Sequence, residues 1–142
     1  MNNPSVALQT AYYTALTSPV LSVDGVTIPV YSDMAPTSAT GSYIVLGQQT
    51  FVDDADKQVF GTEATQNVTV VTTFDSDMGG KKLSSRIADV VMQRIRVRAR
   101  LPLTGFNMIT STLDSYLTIS EQSPTRTIIR AEMRFRHILE QS

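Results

Sequence analysis

Apolar residues recur along this chain first with a helical period and later with a period of two. Leu8, Ala11, Tyr12, Ala15 and Leu16 fall at i, i+3, i+4, i+7 and i+8, which draws one stripe along a helix. Asn3 suits its N-cap, Pro4 its first turn, and Ser18-Pro19 its end. Two apolar runs, 20–23 and 26–30, flank Asp24-Gly25, a pair that supplies the positive φ angles of a tight hairpin turn. Pro29 has no N–H for a ladder, so its strand is expected at an edge or to end early. Residues 33–42 are rich in Pro, Ser, Thr and Gly and read as a loop.

A strand is expected over 43–49 and another over 67–75, with Val68, Val70 and Phe74 on one side of the latter. Between them, the polar stretch 53–65 reads either as a loop or as a hairpin extension projecting from the sheet. A second helix follows, capped by Ser76 or Asp77 and weakened by Gly79 and Gly80. Leu83, Ile87, Val90, Val91 and Ile95 form its stripe, and it ends near Arg96, before Pro102. The last third returns to strands. Leu113, Ser115, Leu117 and Ile119 alternate in a Thr/Ser-rich stretch. After a turn at 122–125, alternate positions from Thr127 to Leu139 carry an apolar face and Arg126, Arg130, Glu132, Arg134 and Arg136 the opposite one. That clean alternation predicts a long, half-buried antiparallel strand. The expected fold is α+β: an antiparallel sheet of four to six strands with two helices packed on one face.

The 142 residues fit one domain that can bury a core without disulfides or metal. There is no cysteine, which excludes thiol nucleophiles and thiolate metal sites. The start of the chain lacks the basic and apolar regions of a signal peptide, and no apolar run approaches a membrane span, so an aqueous, cytoplasmic setting is expected. The net charge of −1 hides a division: residues 1–79 carry −7 and residues 80–142 carry +6. This division suits two differently charged faces, or a molecule that docks head to tail with its own copies.

Candidate chemistry is thin. The single histidine, His137, falls on the apolar face of the last strand, where a packed or interface role is expected. Gly79-Gly80-Lys81-Lys82 misses the spacing of a phosphate loop. Asp53, Asp54 and Asp56 with Glu63 form an acidic cluster, but Gly61 and Glu63 are misplaced for a calcium loop. Arg94, Arg96, Arg98 and Arg100 alternate with apolar residues; an interface with an acidic neighbour, a contact with nucleic-acid phosphates and a solvated surface are the readings open to them. Aromatic interleaving is absent and the domain is not basic, so the interface fits best. These eight residues are the candidate subunit contacts. Neither a catalytic centre nor a cofactor is expected.

The order of pieces resembles a known family. A helix of the form Leu8-Gln9-Thr10-Ala11-Tyr12-Tyr13-Thr14-Ala15-Leu16 is followed by the Asp24-Gly25 hairpin with Val30-Tyr31. Then come a proline-containing loop and Ser42-Tyr43-Ile44-Val45-Leu46-Gly47, a strand over 68–74, a helix over 82–94, and two closing strands with Arg134-Phe135-Arg136. Over nearly the whole chain this layout is similar to the tail terminator, or tail-completion, proteins of tailed bacteriophages. It departs from them in the Arg94–Arg100 run and in the Thr/Ser-rich 109–120 region. The resemblance implies a virion protein that forms a ring, usually a hexamer. Such a ring caps the tail tube, ends its polymerisation and joins the tail to the head or neck. Its partners would be its own copies, the tube protein and a head-completion or neck protein, with genomic DNA passing through unbound. It would be assembled in the host cytoplasm and sit at the head-proximal end of the tail. A head-closure or neck adaptor, and a DNA-binding domain using the arginines, are the alternatives.

Overall fold

The computed structural model describes residues 3–36, 41–54, 61–75, 81–95, 101–122 and 125–141. Their order is α1 (Ser5–Thr17), β1 (Ser22–Val23), β2 (Val26–Thr27), β3 (Val30–Ser32), β4 (Ser42–Asp54), β5 (Gly61–Asp75), α2 (Lys81–Ile95), β6 (Phe106–Gln122) and β7 (Arg126–Gln141). The fold is α+β, as the periodicities predict. Five strands form one sheet in the order β3-β4-β5-β7-β6, and β1-β2 forms a small hairpin beside it.

Local chemistry explains the boundaries. The N-cap of α1 is Pro4, one residue later than expected: its carbonyl takes the first helical bond from Leu8, and Asn3 Oδ1, just outside, accepts the Ser5 N–H at 2.9 Å. Asp24 and Gly25 have φ of 52° and 81°, the left-handed pair that a two-residue hairpin needs. Pro29 ends the second arm early: after Thr27 the chain leaves the hairpin and restarts as β3, with the Pro29 carbonyl accepting the Ile44 N–H. The Ser18-Pro19 peptide bond is cis.

β3 lies parallel to β4, whereas every other pair in the large sheet is antiparallel. The expected antiparallel sheet is therefore mixed at one edge. β3 and β4 are joined by residues 33–41 and not by the two-residue turn that folds a chain straight back into an antiparallel pair. Of the 53–65 stretch, residues 53–54 and 61–65 continue β4 and β5 as a paired extension out to Asp54 and Gly61, and residues 55–60 lie outside the described residues.

Both helices cover the same sheet face. There, Ile44, Leu46, Val68, Val70, Ala131, Met133, Phe135 and Leu139 meet Leu8, Tyr12 and Leu16 of α1 and Ile87, Ala88, Val91 and Ile95 of α2 in one core. The buried stripe of α2 is rotated slightly from its expected centre: Ser84 and Ala88 are buried, while Leu83 and Val90 are half-buried. A bulge lies in β4 between Leu46 and Gln49. Gln66, 1% exposed, stabilises it by donating to the carbonyls of Gly47 and Asn67 at 3.0 Å each. Gln66 also accepts from Gln49, whose side-chain oxygen accepts the Ser5 hydroxyl, so the same network reaches the start of α1.

The phase of β6 departs from expectation. Bulges lie between Met108 and Thr110 and between Leu113 and Ser115. Each inserts one residue and resets the alternation. Leu113 stands opposite buried Phe135 on the helix side, but Leu117 stands opposite Glu132 and Ile119 opposite Arg130, on the other side. The four residues read as one alternating row are split between two faces.

Candidate assembly surfaces

His137 is fully buried, and its Nε2 is hydrogen-bonded to the hydroxyl of Tyr12, itself fully buried. The rings meet edge to face with centroids 5.6 Å apart. Burial lowers the imidazole pKa to about 4, partly opposed by the backbone of Thr110, and burial raises Tyr12 well above its usual range. Both are neutral at pH 7, and the pair fastens α1 to β7. This places His137 in the packed position that its strand face suggests.

The described members of the candidate contact set, Asp53, Asp54, Glu63 and Arg94, stand at separate places in the subunit. Asp53 is exposed near the end of β4, and Asp54 ends that strand. Glu63 accepts from Arg136, which also pairs with Asp114 at 2.9 Å. Arg94 donates to the carbonyls of Ala15 at 3.3 Å and Pro19 at 2.6 Å. It therefore closes the C-terminal end of α1, where carbonyls lack helical partners and the dipole favours a cation. Asp56, Arg96, Arg98 and Arg100 lie outside the described residues. Replacing Arg94 by Ala is expected to cost about 1–2 kcal/mol, the scale of a charge-assisted hydrogen bond, read as a lower urea midpoint with an unchanged m-value.

The −7/+6 division is partly folded back on itself. Asp24 pairs with Arg86 at 2.7 Å, and Glu63 with Arg136, so two ion pairs join the acidic half of the chain to the basic half. β5 and β7, one from each half, are also neighbours along their whole length. The halves are distinct in sequence but interleaved in space.

The sheet face opposite the helices is open. Its rows can be read across the registers, and one runs Tyr31–Val45–Thr69–Glu132–Leu117. Tyr31 and Tyr43 meet edge to face at 5.9 Å. On the same face Arg130 pairs with Glu121, and Arg136 with Glu63 and Asp114. Its charges are thus largely satisfied locally. At one margin lies β6, whose outer edge has no partner strand among the described residues. There Tyr116, Leu117 and Ile119 are 40%, 56% and 36% exposed. Sequence reasoning did not single them out as a contact; their signal is an uncharged run of six, 115–120, between Asp114 and Glu121.

A groove of about 480 Å³ runs between α1 and residues 102–106, lined by Val6, Ala7, Ala11, Ala15, Pro102 and Phe106 among others. Among the described residues no group of three or more acidic or histidine side chains is placed to hold a metal. No described helix is long and apolar enough to cross a membrane.

No protein-family model matches the chain. No curated protein sequence matches it either. Among solved structures, the chain is similar to a chain of the virion of a native gene transfer agent particle. The TM-score is 0.75 at 22% identity, and the match covers 99% of both chains. At that identity the match establishes a shared fold.

Proposed function

We propose that this protein is a structural subunit of a phage-like virion and, within it, the tail terminator. In this reading its copies close into a ring, a hexamer as the family resemblance implies. The ring caps the tail tube, stops its polymerisation and presents a docking surface to a head-completion or neck protein. DNA passes through the ring without sequence-specific contact. The subunit has no catalytic centre and no cofactor, and it resides at the head-proximal end of the tail after assembly in the host cytoplasm.

One observation carries the reading: the fold aligns end to end with a virion chain, over 99% of each. The surfaces are consistent with it. The histidine is fully buried, and the open face has the mixed apolar and ion-paired character of a protein contact rather than the basic character of a nucleic-acid site.

The test is direct. Purified protein viewed by negative stain is expected to form rings with a central hole, and native mass spectrometry to give one closed stoichiometry. Added to polymerising tube protein, it should shorten the tubes and decorate one end. A protein that stays monomeric and leaves tube length unchanged would overturn the proposal. Rings that ignore the tube but bind a portal or connector ring would move the protein to the neck.

A further inference from the structure

Natural sheets blunt their edges with short strands, prolines, lysines or covering loops. β3, at one margin of the sheet, is three residues long and follows Pro29. β6, at the other, runs for 17 residues and contains no Pro, Gly or Lys. Its 115–120 segment, Ser-Tyr-Leu-Thr-Ile-Ser, is β-branched, aromatic and uncharged. It is exposed on both faces as well as along its edge, since Tyr116 stands opposite Met133 on the helix side and Leu117 opposite Glu132 on the open side. Such a strand is ready to pair. The carboxylates that bracket it do not oppose this: Asp114 pairs with Arg136 and Glu121 with Arg130.

We propose that this edge takes up β3 of a second copy, so that the sheet continues from subunit to subunit. The proposal rests on the ring reading above and assigns the contact that builds the ring. Strand direction permits it. β3 is parallel to β4, and three antiparallel steps separate β4 from β6, so β6 and β3 run in opposite directions. A second copy in the same orientation therefore presents β3 antiparallel to β6.

Register supports it too. Carrying the rows straight across, Tyr116 comes level with Ser32, Leu117 with Tyr31, Thr118 with Val30 and Ile119 with Pro29 of the next copy. Every residue in both segments is uncharged. Leu117 and Ile119 would extend the apolar cluster of Tyr31 and Tyr43 on the open face. Pro29 lacks an N–H and precedes β3, so the paired stretch is short, Val30–Ser32 against Tyr116–Thr118, and the bonds it gives are few. The contact joins two different patches and is heterologous, a kind that closes into a ring when the rotation between successive copies adds up to a full turn.

The absence of cysteine makes the test clean. Leu117→Cys and Tyr31→Cys are made separately, each checked for folding by circular dichroism and for ring formation by native mass spectrometry. Directly opposed residues on paired strands lie within the Cα separation of a disulfide. On mild oxidation, the two proteins mixed should give a covalent dimer, and neither alone should. The variant carrying both changes should give a ladder ending at the ring size. A second arm reads the uncrosslinked protein: Leu117→Lys with Ile119→Lys should raise the concentration at which rings dissociate at least tenfold. Rings that persist without the mixed dimer would overturn the edge contact and leave the ring reading standing. A dimer from Leu117→Cys alone would replace it with a two-fold β6–β6 contact. A wild-type protein that forms no multimer would overturn both.

Discussion

Replacing Phe135 by alanine is expected to destabilise the protein by about 3–5 kcal/mol, the range for deleting a fully buried aromatic side chain. Phe135 is 0% exposed and sits in the middle of β7, between Gln66 of β5 and Leu113 of β6. Its ring meets Tyr12 edge to face at a centroid distance of 6.2 Å, and Tyr12 in turn is bonded to His137. Truncation therefore removes more than transferred area. It leaves a cavity beneath α1 that neither the sheet nor the helix can close without disturbing that bond. Domains of this size have stabilities of about 5–15 kcal/mol, so the loss is a large share of the total. Urea unfolding followed by circular dichroism should show a much lower midpoint. Leu117→Ala, at an exposed site, should stay within about 0.5 kcal/mol of the parent. A Phe135→Ala protein less than about 1 kcal/mol below the parent would mean that α1 is not packed on the sheet as described.

That residue also marks where the sequence was most readable. β7 alternates without interruption from Thr127 to Leu139, so its buried row follows from period two alone. α1 and the Asp24-Gly25 hairpin were equally legible, because a helical stripe and positive φ are local properties. β6 was not. Its bulges at 108–110 and 113–115 add residues that no local pattern announces, and each inverts the alternation beyond it. The parallel placement of β3 was hidden for another reason: a three-residue strand has no period, and its partner is chosen by tertiary packing.

The candidate contacts divide along the same line. Charge counts located the basic and acidic halves correctly, but they carry no information on which charges meet. Arg94 belongs in sequence to a row of four arginines, and its guanidinium donates to the carbonyl of Ala15, 79 residues away in the last turn of α1. Glu63 looked like part of an acidic loop and is opposed by Arg136 across two paired strands. An uncharged run at an unpaired edge was the quieter signal, because the run gains meaning only when the strand order places it at the margin of the sheet.

Mild acid should weaken the fold through His137. His137 has a folded pKa of about 4 against 6.5 for the free side chain, and burial is the main cause. The unfolded chain therefore takes up a proton near pH 6.5 that the folded chain refuses until about pH 4. Stability is complete above pH 6.5, falls as the pH drops through that window, and stops falling from this cause below about 4. The full loss is about 3 kcal/mol at roughly 1.4 kcal/mol per pH unit, and most of it occurs above pH 5. Chemical denaturation at pH 7.5 and pH 5 should differ by about 2 kcal/mol. With a single histidine in the chain, its ring protons can be assigned without ambiguity in an NMR titration. They should remain at their neutral positions down to pH 5 in the folded protein. A ring that titrates near pH 6.5 while the protein stays folded would place His137 in contact with solvent and remove the link between α1 and β7. A variant with Tyr12→Phe and His137→Phe together, which removes both polar atoms of the pair, should lose the dependence between pH 7.5 and 5 whatever its absolute stability.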